Sequence, residues 1–419
     1  MKPNERDAVP GLDARRAALR LLDAVLRRGE TLDNAGHGAT QGLPQPDRAL
    51  ARALAGEALR WLVDLDALID SATRQPLPED AKPRAVLRLM LAGWLRLETP
   101  PHAVIATGLP LLSGGPRRLA HGVFSTLARN QATLPAIPTL PDRVRARWGE
   151  RADAIAAALA TPPPLDLSLR DPAETAARAV ALGGTSLLPG HLRLPRGAAV
   201  EALPGFAEGA WWVQDLAASL PARLLGPAPA PGEQGHALDL CAAPGGKTLQ
   251  LAAAGWQVTA LDQNTRRLDR LRDNLARTGL AATLVTADAR SWQPDRRYDA
   301  ILLDAPCTAT GTCRRHPDVL HRIGERAIAE MAELQAELLA RAAGWLAPGG
   351  RLVYAVCSLE PTEGEAQAAK VHLRPDPILP QELPPGLTPT PEGWLRTDPG
   401  MIAGSGGLDG FFIARWRAA

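Results

Sequence analysis

HALDLCAAPGGKTLQLAAAGWQVTALD, residues 236–262, is the most informative stretch of this 419-residue chain. Its first six residues form an apolar run typical of a buried strand, and a turn with two glycines follows. Residues 247–254 then have the pattern of a helix, and 256–262 predict a second strand. A strand, a helix and a strand in this order are typical of a crossover between parallel strands. The stretch therefore predicts an α/β domain.

The same alternation continues to the end of the chain. Further strands are predicted at 282–288, 298–304, 349–359 and 408–418, and further helices at 265–278 and 324–346. We therefore expect a doubly wound, Rossmann-like parallel sheet, with the last strand closing it.

The ending Gly-Lys-Thr of the glycine turn is also the ending of a nucleotide-phosphate loop. That loop needs Gly-x4-Gly-Lys-Ser/Thr, and Cys241 stands where its first glycine belongs. A dinucleotide fingerprint, Gly-x-Gly-x-x-Gly, is also missing. Asp262 lies 16 residues beyond Gly246, near the distance expected for an acid that binds ribose hydroxyls. A single nucleoside ligand such as S-adenosylmethionine is therefore favoured over NAD, and a P-loop NTPase is the weakest alternative.

Composition limits the class of protein without naming a ligand. Formal net charge is +2, so any basic surface for nucleic acid has to be local. There are four cysteines, no apolar signal region at the N-terminus and no run of 18 apolar residues. We expect a soluble cytoplasmic protein without a membrane partner. Nearly all positive charge is arginine, which suits phosphate binding but also follows from a genome-wide composition bias.

Two regions precede the α/β domain. Residues 1–135 contain apolar residues at helical spacing, for example in 13–28, where Asp13 is the expected cap and Gly29 the expected stop. An all-α domain is therefore predicted there. A proline-rich linker, 131–141, leads to a small α+β segment, 142–210, and the domain 211–419 follows.

Five chemically active residues follow predicted strands. Asp262, Asp288 and Asp304 end three strands, Cys307 comes shortly after Asp304, and Cys357 ends a fourth. Because the carboxyl ends of parallel strands share one edge of the sheet, we expect these side chains to meet there. One acid at a strand end is ordinary, but three acids and two thiols predict an active site.

The cysteines divide into two groups. Cys241 and Cys313 are expected to be small hydrophobic residues. A zinc site formed by Cys307, Cys313 and His316 is disfavoured because the spacing matches no usual structural finger, and we expect no metal. Cys307 and Cys357 face the predicted cleft, where a thiol beside a methyl donor indicates covalent catalysis.

Methylation of a pyrimidine at carbon 5 explains the need for a thiol. That carbon is a poor nucleophile until a thiolate adds to carbon 6, and an acid near ring nitrogen 3 stabilises the adduct. Removal of the carbon-5 proton then expels the thiol. Cys307, Cys357 and Asp304 are candidates for these roles, but their spacing leaves open which cysteine attacks.

Three long motifs identify a family. DLCAAPGGKT (239–248), DAPCTATGTCRRHPD (304–318) and LVYAVCSLEPTEGE (352–365) resemble the RNA cytosine-5 methyltransferases of the NOL1/NOP2/Sun family. WWVQDLAASL (211–220) and DGFFIARW (409–416) are similar to the beginning and the end of its catalytic domain. The helical region before residue 135 resembles the NusB-like RNA-binding domain, and the segment 142–210 is expected to bind RNA or to connect the two domains. The resemblance implies a class I methyltransferase fold.

The resemblance also implies S-adenosylmethionine as cofactor and a role for each matching residue. Cys357 would attack carbon 6, and Cys307 would assist product release. Asp262 would bind the ribose, Asp288 the adenine, and Asp304 would lie between cofactor and base. The cofactor loop would consist of Cys241, Ala242, Ala243, Pro244, Gly245, Gly246 and Lys247, and this lysine would also reach the target cytosine. Val356 stands where the family usually has Thr, which removes a hydroxyl but no named role.

The partner implied by the resemblance is 16S rRNA, unassembled or in a partly assembled small subunit, and we expect a monomer. Arg314, Arg315 and His316 follow the DAPC loop, where they are candidates to meet phosphates near a flipped base. The simpler interpretation is a solvated basic turn. The main alternative function is a non-catalytic RNA-binding or ribosome assembly factor that keeps only the fold.

Overall fold

Apolar residues at helical spacing form the first of two units. The computed structural model describes residues 10–197, 199–229 and 235–419. The helical unit comprises the chain up to Ala160 together with Arg315–Arg322, and the sheet unit comprises Thr161–Arg314 and Ile323–Ala419. The helices up to Ala160 are α1 (Leu12–Arg28), α2 (Leu32–Ala39), α3 (Gln45–Arg60), α4 (Leu62–Ser71), α5 (Lys82–Leu95), α6 (Pro101–Gly108), α7 (Gly114–Arg129), α8 (Asp142–Trp148) and α9 (Ala152–Leu159).

Helix α1 confirms the predicted stop and corrects the predicted start. Leu21 and Leu22 are buried on its inner face, and Gly29 ends it in the left-handed conformation at φ 68°. The N-cap is Gly11, not Asp13. The helix begins two residues earlier than expected, so Asp13 lies in its first turn, where a carboxylate interacts favourably with the helix dipole.

Two segments predicted as single helices are each divided in two. The segment 47–70 breaks at Trp61, which leaves the helical conformation at φ −106°. The Trp61 ring is buried, with the guanidinium of Arg96 4.6 Å from its centroid. The segment 142–160 breaks at Gly149, which has a φ of 54°. The positions of these breaks follow from tertiary packing and from glycine, not from the apolar period.

The helical unit extends past the predicted linker. Arg60 and Arg96 donate hydrogen bonds to the carbonyls of Leu159 and Ala160, at 3.3 and 3.1 Å, and so fix the end of α9. The helix predicted to begin the middle segment therefore belongs to the helical unit. The three predicted domain boundaries stay a prediction.

The sheet unit contains two sheets. Its strands are β1 (Leu165–Leu169), β2 (His191–Leu194), β3 (Trp211–Val213), β4 (His236–Leu240), β5 (Gln257–Asp262), β6 (Thr283–Thr286), β7 (Tyr298–Asp304), β8 (Leu346–Val356), β9 (Arg374–Pro375), β10 (Leu395–Arg396) and β11 (Phe412–Arg417). The helices that follow α9 are α10 (Thr175–Leu182), α11 (Leu216–Leu225), α12 (Gly246–Ala253), α13 (Thr265–Thr278), α14 (Val319–Arg322), α15 (Glu325–Gly344) and α16 (Glu365–Ala368). Of these, α14 lies in the helical unit.

The smaller sheet is antiparallel and has the order β2-β1-β3. Asp166 on β1 binds both ends of the Arg193 guanidinium on β2 at 2.7 Å, and both side chains are buried. Trp211, which begins the predicted catalytic segment, pairs with Leu169 in this sheet. The small sheet thus uses residues on both sides of the boundary predicted at 210.

The larger sheet confirms the predicted fold class. Its order is β10-β11-β8-β7-β4-β5-β6, with β9 paired to β11. The strands β8, β7, β4, β5 and β6 are parallel, and β11 is antiparallel to β8. Within the described parts of the chain, no helix is both long and apolar enough to cross a membrane.

The register of the parallel strands brings their carboxyl ends into line. Leu240 at the end of β4 pairs with Leu261 of β5 and with Leu303 of β7. Asp304 at the end of β7 pairs with Ala355 of β8. The loops that follow these four strands therefore meet at one edge of the sheet.

The segment Arg315–Arg322 is part of the helical unit. The Asp318 carboxylate accepts a hydrogen bond from the Leu32 backbone at 3.4 Å and another from Arg322 at 2.9 Å. The Nε2 atom of His321 lies 2.7 Å from the carbonyl oxygen of Leu59, to which it donates. The second half of the DAPCTATGTCRRHPD motif thus has a structural role among the helices.

Candidate active site

The loop after β4 turns sharply and is fixed to the end of β5. Cys241 adopts a left-handed φ of 62°, and the peptide bond between Ala243 and Pro244 is cis. The Ala243 backbone donates to Asp262 Oδ2 at 3.1 Å. Gly245 is the N-cap of α12, with a φ of 107°, and a Cβ there would lie 2.2 Å from the Leu271 side chain. Glycine is therefore required for the close packing of this turn.

The Gly-Lys-Thr ending does not present a phosphate-binding surface. Thr248 is buried and donates its hydroxyl hydrogen bond to Asp239 at 2.5 Å. Lys247 Nζ lies 2.7 Å from Asp304 Oδ2 and 5.4 Å from the centroid of the Phe411 ring. Both side chains that a P-loop would direct to phosphate and metal are held by protein carboxylates, which argues against an NTPase.

The groups around the Lys247 ammonium favour its charged form. Burial lowers its pKa, but the charge and hydrogen bond of Asp304 raise it more, and Cys357 and Asp239 contribute in the same direction. The net effect is a raised pKa. The lysine is therefore a fixed cation between the loop after β4 and the end of β7.

Asp239, on the strand that leads into this loop, has a carboxyl group with a raised pKa. Asp239 is fully buried on β4, and its Oδ1 atom has no hydrogen-bond partner. Burial raises the pKa of Asp239 to about 7, and the charges of Asp304 and Asp262 add to this against the Thr248 hydrogen bond and the Lys247 charge. The group therefore changes its charge near neutral pH.

A cavity opens between the ends of β4 and β5 and helix α15. Cys241, Asp262 and Asp288 line its polar side, and Leu334 and Leu338 line its apolar side. Asp288 lies in the turn after β6, two residues beyond the strand end. Carboxylate acceptors beside an apolar wall suit the hydroxyls and the flat ring of a nucleoside. The three predicted residues are thus brought together.

Two arginines of this cavity carry no sequence signal of their own and were missed. Arg290 forms a bidentate ion pair with Asp288, with Nε 3.1 Å from Oδ1 and Nη2 2.7 Å from Oδ2. Arg267 donates to the carbonyl of Ala243 and lies 3.8 Å from Asp262. A periodic pattern cannot identify such residues, because both lie at exposed helix and turn positions.

The two cysteines at the ends of β7 and β8 form a close pair. The Sγ atoms of Cys307 and Cys357 lie 3.4 Å apart, although 50 residues separate them in sequence. The hydrogen bond to Cys357 raises the pKa of Cys307 well above its usual value, and burial and the charges of Cys357 and Glu363 add to the effect. Cys307 is therefore held as a thiol beside its neighbour.

Backbone contacts fix the loops that carry this pair. The Gly311 N–H donates to the carbonyl of Cys357 at 3.0 Å. The Gly410 N–H donates to the carbonyl of Gly311 at 2.9 Å, and a Cβ on Gly311 would lie 1.9 Å from the Gly410 oxygen. Two glycines thus allow three loops to touch through their backbones.

The other two cysteines lie where small hydrophobic residues are expected. Cys241, at the start of the loop after β4, is partly buried against the core, and burial raises its pKa. Cys313 is fully buried. In the described ranges, no group of three or more His, Cys, Asp or Glu residues is placed to hold a metal ion.

Arg314 contradicts the phosphate role expected from its sequence position. Its side chain is buried and lies 3.2 Å from Asp215 and 3.5 Å from Asp409. It also donates to the carbonyl of Gly406 at 2.9 Å. Three long-range partners withdraw it from solvent, so only Arg315 and His316 of the predicted basic turn remain candidates for phosphate contacts.

Comparison with known proteins agrees with this architecture. Residues 227–417 match the family described as 16S rRNA methyltransferase RsmB/F, and residues 12–111 match the NusB family. The Ribosomal RNA small subunit methyltransferase B of Klebsiella pneumoniae is 36% identical over 96% of this chain and 98% of its own. A solved methyltransferase homolog from Pyrococcus horikoshii is 28% identical with a TM-score of 0.55, covering 66% of this chain and 94% of its own.

The solved structure of PH0851 has a TM-score of 0.71 at 22% identity and covers 96% of this chain and 98% of its own, which shows the shared fold. The match of residues 227–417 to this family, on a Rossmann-like sheet, defines the protein as a methyltransferase. Its similarity to the curated relatives along nearly its whole length goes further: the chain belongs to the RsmB/F family of 16S rRNA methyltransferases.

Proposed function

We propose that this methyltransferase transfers a methyl group from S-adenosylmethionine to carbon 5 of a cytosine in 16S rRNA through a covalent adduct with Cys357. The observation that carries the proposal is the pair of thiols, 3.4 Å apart, at the carboxyl ends of β7 and β8. A single thiol would suffice for addition, whereas two suit a reaction that both forms and releases an adduct. The name of the Klebsiella relative supports RNA of the small subunit as substrate.

The residues at the sheet edge fit a nucleoside cofactor. Asp262 at the end of β5 is proposed to accept hydrogen bonds from ribose hydroxyls, and Asp288 to accept one from the adenine amine. Leu334 and Leu338 offer an apolar surface for the adenine ring. The loop 241–247 would bind the remainder of the molecule, which supplies the methyl group on a sulfonium when bound.

The proposed reaction consists of an addition, a methyl transfer and a release. Cys357, as a thiolate, forms a bond to carbon 6 of cytosine, and carbon 5 then takes the methyl group from the sulfonium sulfur. A base removes the carbon-5 proton, and the bond between Cys357 and carbon 6 breaks as the ring double bond forms again. Cys307 is proposed to assist this release, since its Sγ is in direct contact with the leaving Sγ.

The ion pair of Lys247 and Asp304 is proposed to act on the ring. Asp304 would share a proton with ring nitrogen 3 and so stabilise the adduct. Lys247, at 2.7 Å, fixes the position of that carboxyl group and faces the base with its positive charge. A fixed charge in a site that excludes water stabilises charge that develops during the reaction.

The test is methylation of 16S rRNA by the purified chain, with bisulfite sequencing of the product to locate carbon-5 methylation. We expect wild-type protein to methylate cytosine and Cys357→Ala to be inactive. Cys313→Ala removes a thiol outside the site and serves as the control after its melting temperature has been checked. Full activity of Cys357→Ala, or a methyl group at another atom, would refute the proposal.

The alternative of a non-catalytic assembly factor has its own measurement. Calorimetric titration of the wild-type chain with S-adenosylmethionine is expected to give saturable binding, and Asp262→Asn to weaken it by roughly tenfold, the loss of one good hydrogen bond. A chain that binds 16S rRNA but no S-adenosylmethionine would favour the assembly factor.

A further inference from the structure

Glu363 carries a carboxyl group that is fully buried and fully engaged. Its Oε1 atom accepts hydrogen bonds from the Thr308 backbone at 2.9 Å and from Gln335 Nε2 at 3.2 Å. Its Oε2 atom accepts from the Thr308 hydroxyl at 2.5 Å and from the Ser358 hydroxyl. Four donors converge on one side chain, and none of them is a cation. Such an arrangement is costly to bury and calls for a specific explanation.

Three of the four donors come from the two loops that carry the thiols. Thr308 directly follows Cys307, and Ser358 directly follows Cys357. The carboxyl group therefore joins the backbone beside one cysteine to the side chain beside the other. The two loops come from separate strands, so their spacing is not set by the chain itself.

Glu363 is itself held from two further elements. The Tyr354 hydroxyl on β8 donates to the Glu363 carbonyl at 2.5 Å. Gln335 on α15, which donates to the carboxyl, also donates to the Pro306 carbonyl at 2.8 Å. The strand thus holds the backbone of Glu363, and the helix holds its carboxyl group.

We propose that Glu363 is a positioning residue that sets the relative placement of Cys307 and Cys357 for addition and release. This inference rests on the proposed function and adds a residue that touches neither cofactor nor base. A shorter side chain at position 363 would let the two thiols move apart. A side chain of the same length without the charge would change the protonation of Cys307. The two effects can be tested independently, because Asp keeps the charge with a shorter reach and Gln keeps the reach without the charge.

Other titratable and charged groups lie near Cys307 and Cys357. Tyr354 on β8 has a pKa that burial raises well above its usual value, with the charges of Cys307 and Glu363 adding to this. Lys247 interacts with Cys357, and Arg396 on β10 donates to the Ser358 carbonyl at 2.5 Å. Glu363 is the carboxylate among the groups that raise the pKa of Cys307.

The experiment measures the rate of iodoacetamide alkylation of Cys307 against pH in the full-length chain, without RNA or cofactor, by mass spectrometry. Cys313 shares its tryptic peptide, so fragment ions assign the site. We expect Glu363→Gln to lower the midpoint by roughly one pH unit, because a negative charge nearby is removed. The control is Glu365→Gln, which loses a carboxylate paired with Arg396 two residues away.

An equal midpoint in wild type and Glu363→Gln, or an equal shift in Glu365→Gln, would overturn the inference. Glu363→Asp is expected to lower the turnover of methylation about tenfold, with KM for rRNA nearly unchanged, because the shorter side chain no longer holds the two loops at their spacing. If Glu363→Gln does not fold, Glu363→Asp decides alone, and wild-type turnover in it would overturn the positioning role. The alkylation result stands even if the chain methylates an atom other than carbon 5, so the two proposals fail separately.

Discussion

Lys247 Nζ and Asp304 Oδ2 lie 2.7 Å apart, which joins the first turn of α12 to the end of β7. The sequence offered these residues for two separate tasks, one at the cofactor loop and one between cofactor and base. In the structure they are one ion pair, so a change in either alters the other. That coupling determines what a substitution of the lysine will do.

Lys247→Gln is expected to reduce methylation turnover about 100-fold while changing the affinity for S-adenosylmethionine less than about threefold. The reason is that the loss of the ammonium leaves Asp304 without its fixed partner, which removes a preorganised charge from the proposed transition state. Single-turnover methylation and calorimetry check the two parts. Lys370→Gln, an exposed lysine on the same domain, is the control and should behave as wild type.

Cys307→Ala is expected to accumulate a covalent complex with 16S rRNA. If Cys307 assists release, its loss leaves Cys357 bonded to carbon 6 after methyl transfer. Denaturing gel electrophoresis with labelled RNA detects the complex as a band of reduced mobility. The double variant with Cys357→Ala should show no such band, and its absence from Cys307→Ala itself would mean that release proceeds without this thiol.

Arg314→Ala is expected to destabilise the protein by about 3–5 kcal/mol, because it leaves the buried carboxylates of Asp215 and Asp409 without their cation. Chemical denaturation measures the loss. Arg270→Ala, at an exposed position of α13, should leave the free energy of unfolding within about 0.5 kcal/mol of wild type. Equal stability of the two variants would contradict the buried network.

Asp239 gives a pH-dependent prediction with a definite sign. Its folded-state pKa of about 7 is raised from 3.8, so its stabilising contribution is complete below the unfolded value and is lost as the pH rises through about 7. The Asp239→Asn variant lacks this loss. Its free energy of unfolding, measured relative to that of wild type, should therefore rise between pH 4 and pH 8 by on the order of 4 kcal/mol. Urea unfolding at several pH values measures it, and the exposed Asp295→Asn should leave the slope unchanged.

Local patterns were sufficient for the strand, turn and helix of residues 236–262 and for the shared edge of acids and thiols. The apolar runs identify parallel strands, and parallel strands align their carboxyl ends without any knowledge of side-chain contacts. The same reasoning gave the Gly29 stop, since a left-handed residue ends a helix whatever surrounds it.

Contacts between residues far apart in sequence were beyond such patterns. Arg314 looks like part of a basic turn, yet Asp215, 99 residues earlier, and Asp409, 95 residues later, help to withdraw it from solvent. Likewise, nothing adjacent to Trp61 marks the break between α3 and α4. Glu363 lies in a motif that was noticed for its cysteine, and its four donors come together only after β7, β8 and α15 have packed.

The contact between Gly311 and Gly410 has a consequence for mutational tolerance. Neither residue offers a side chain for chemistry, yet a methyl group on Gly311 would lie within 1.9 Å of the Gly410 oxygen. In a saturation library selected for activity, both positions should be depleted of every substitution, as strongly as the reactive cysteines. Two glycines without any chemical role would then be among the most constrained positions of the enzyme.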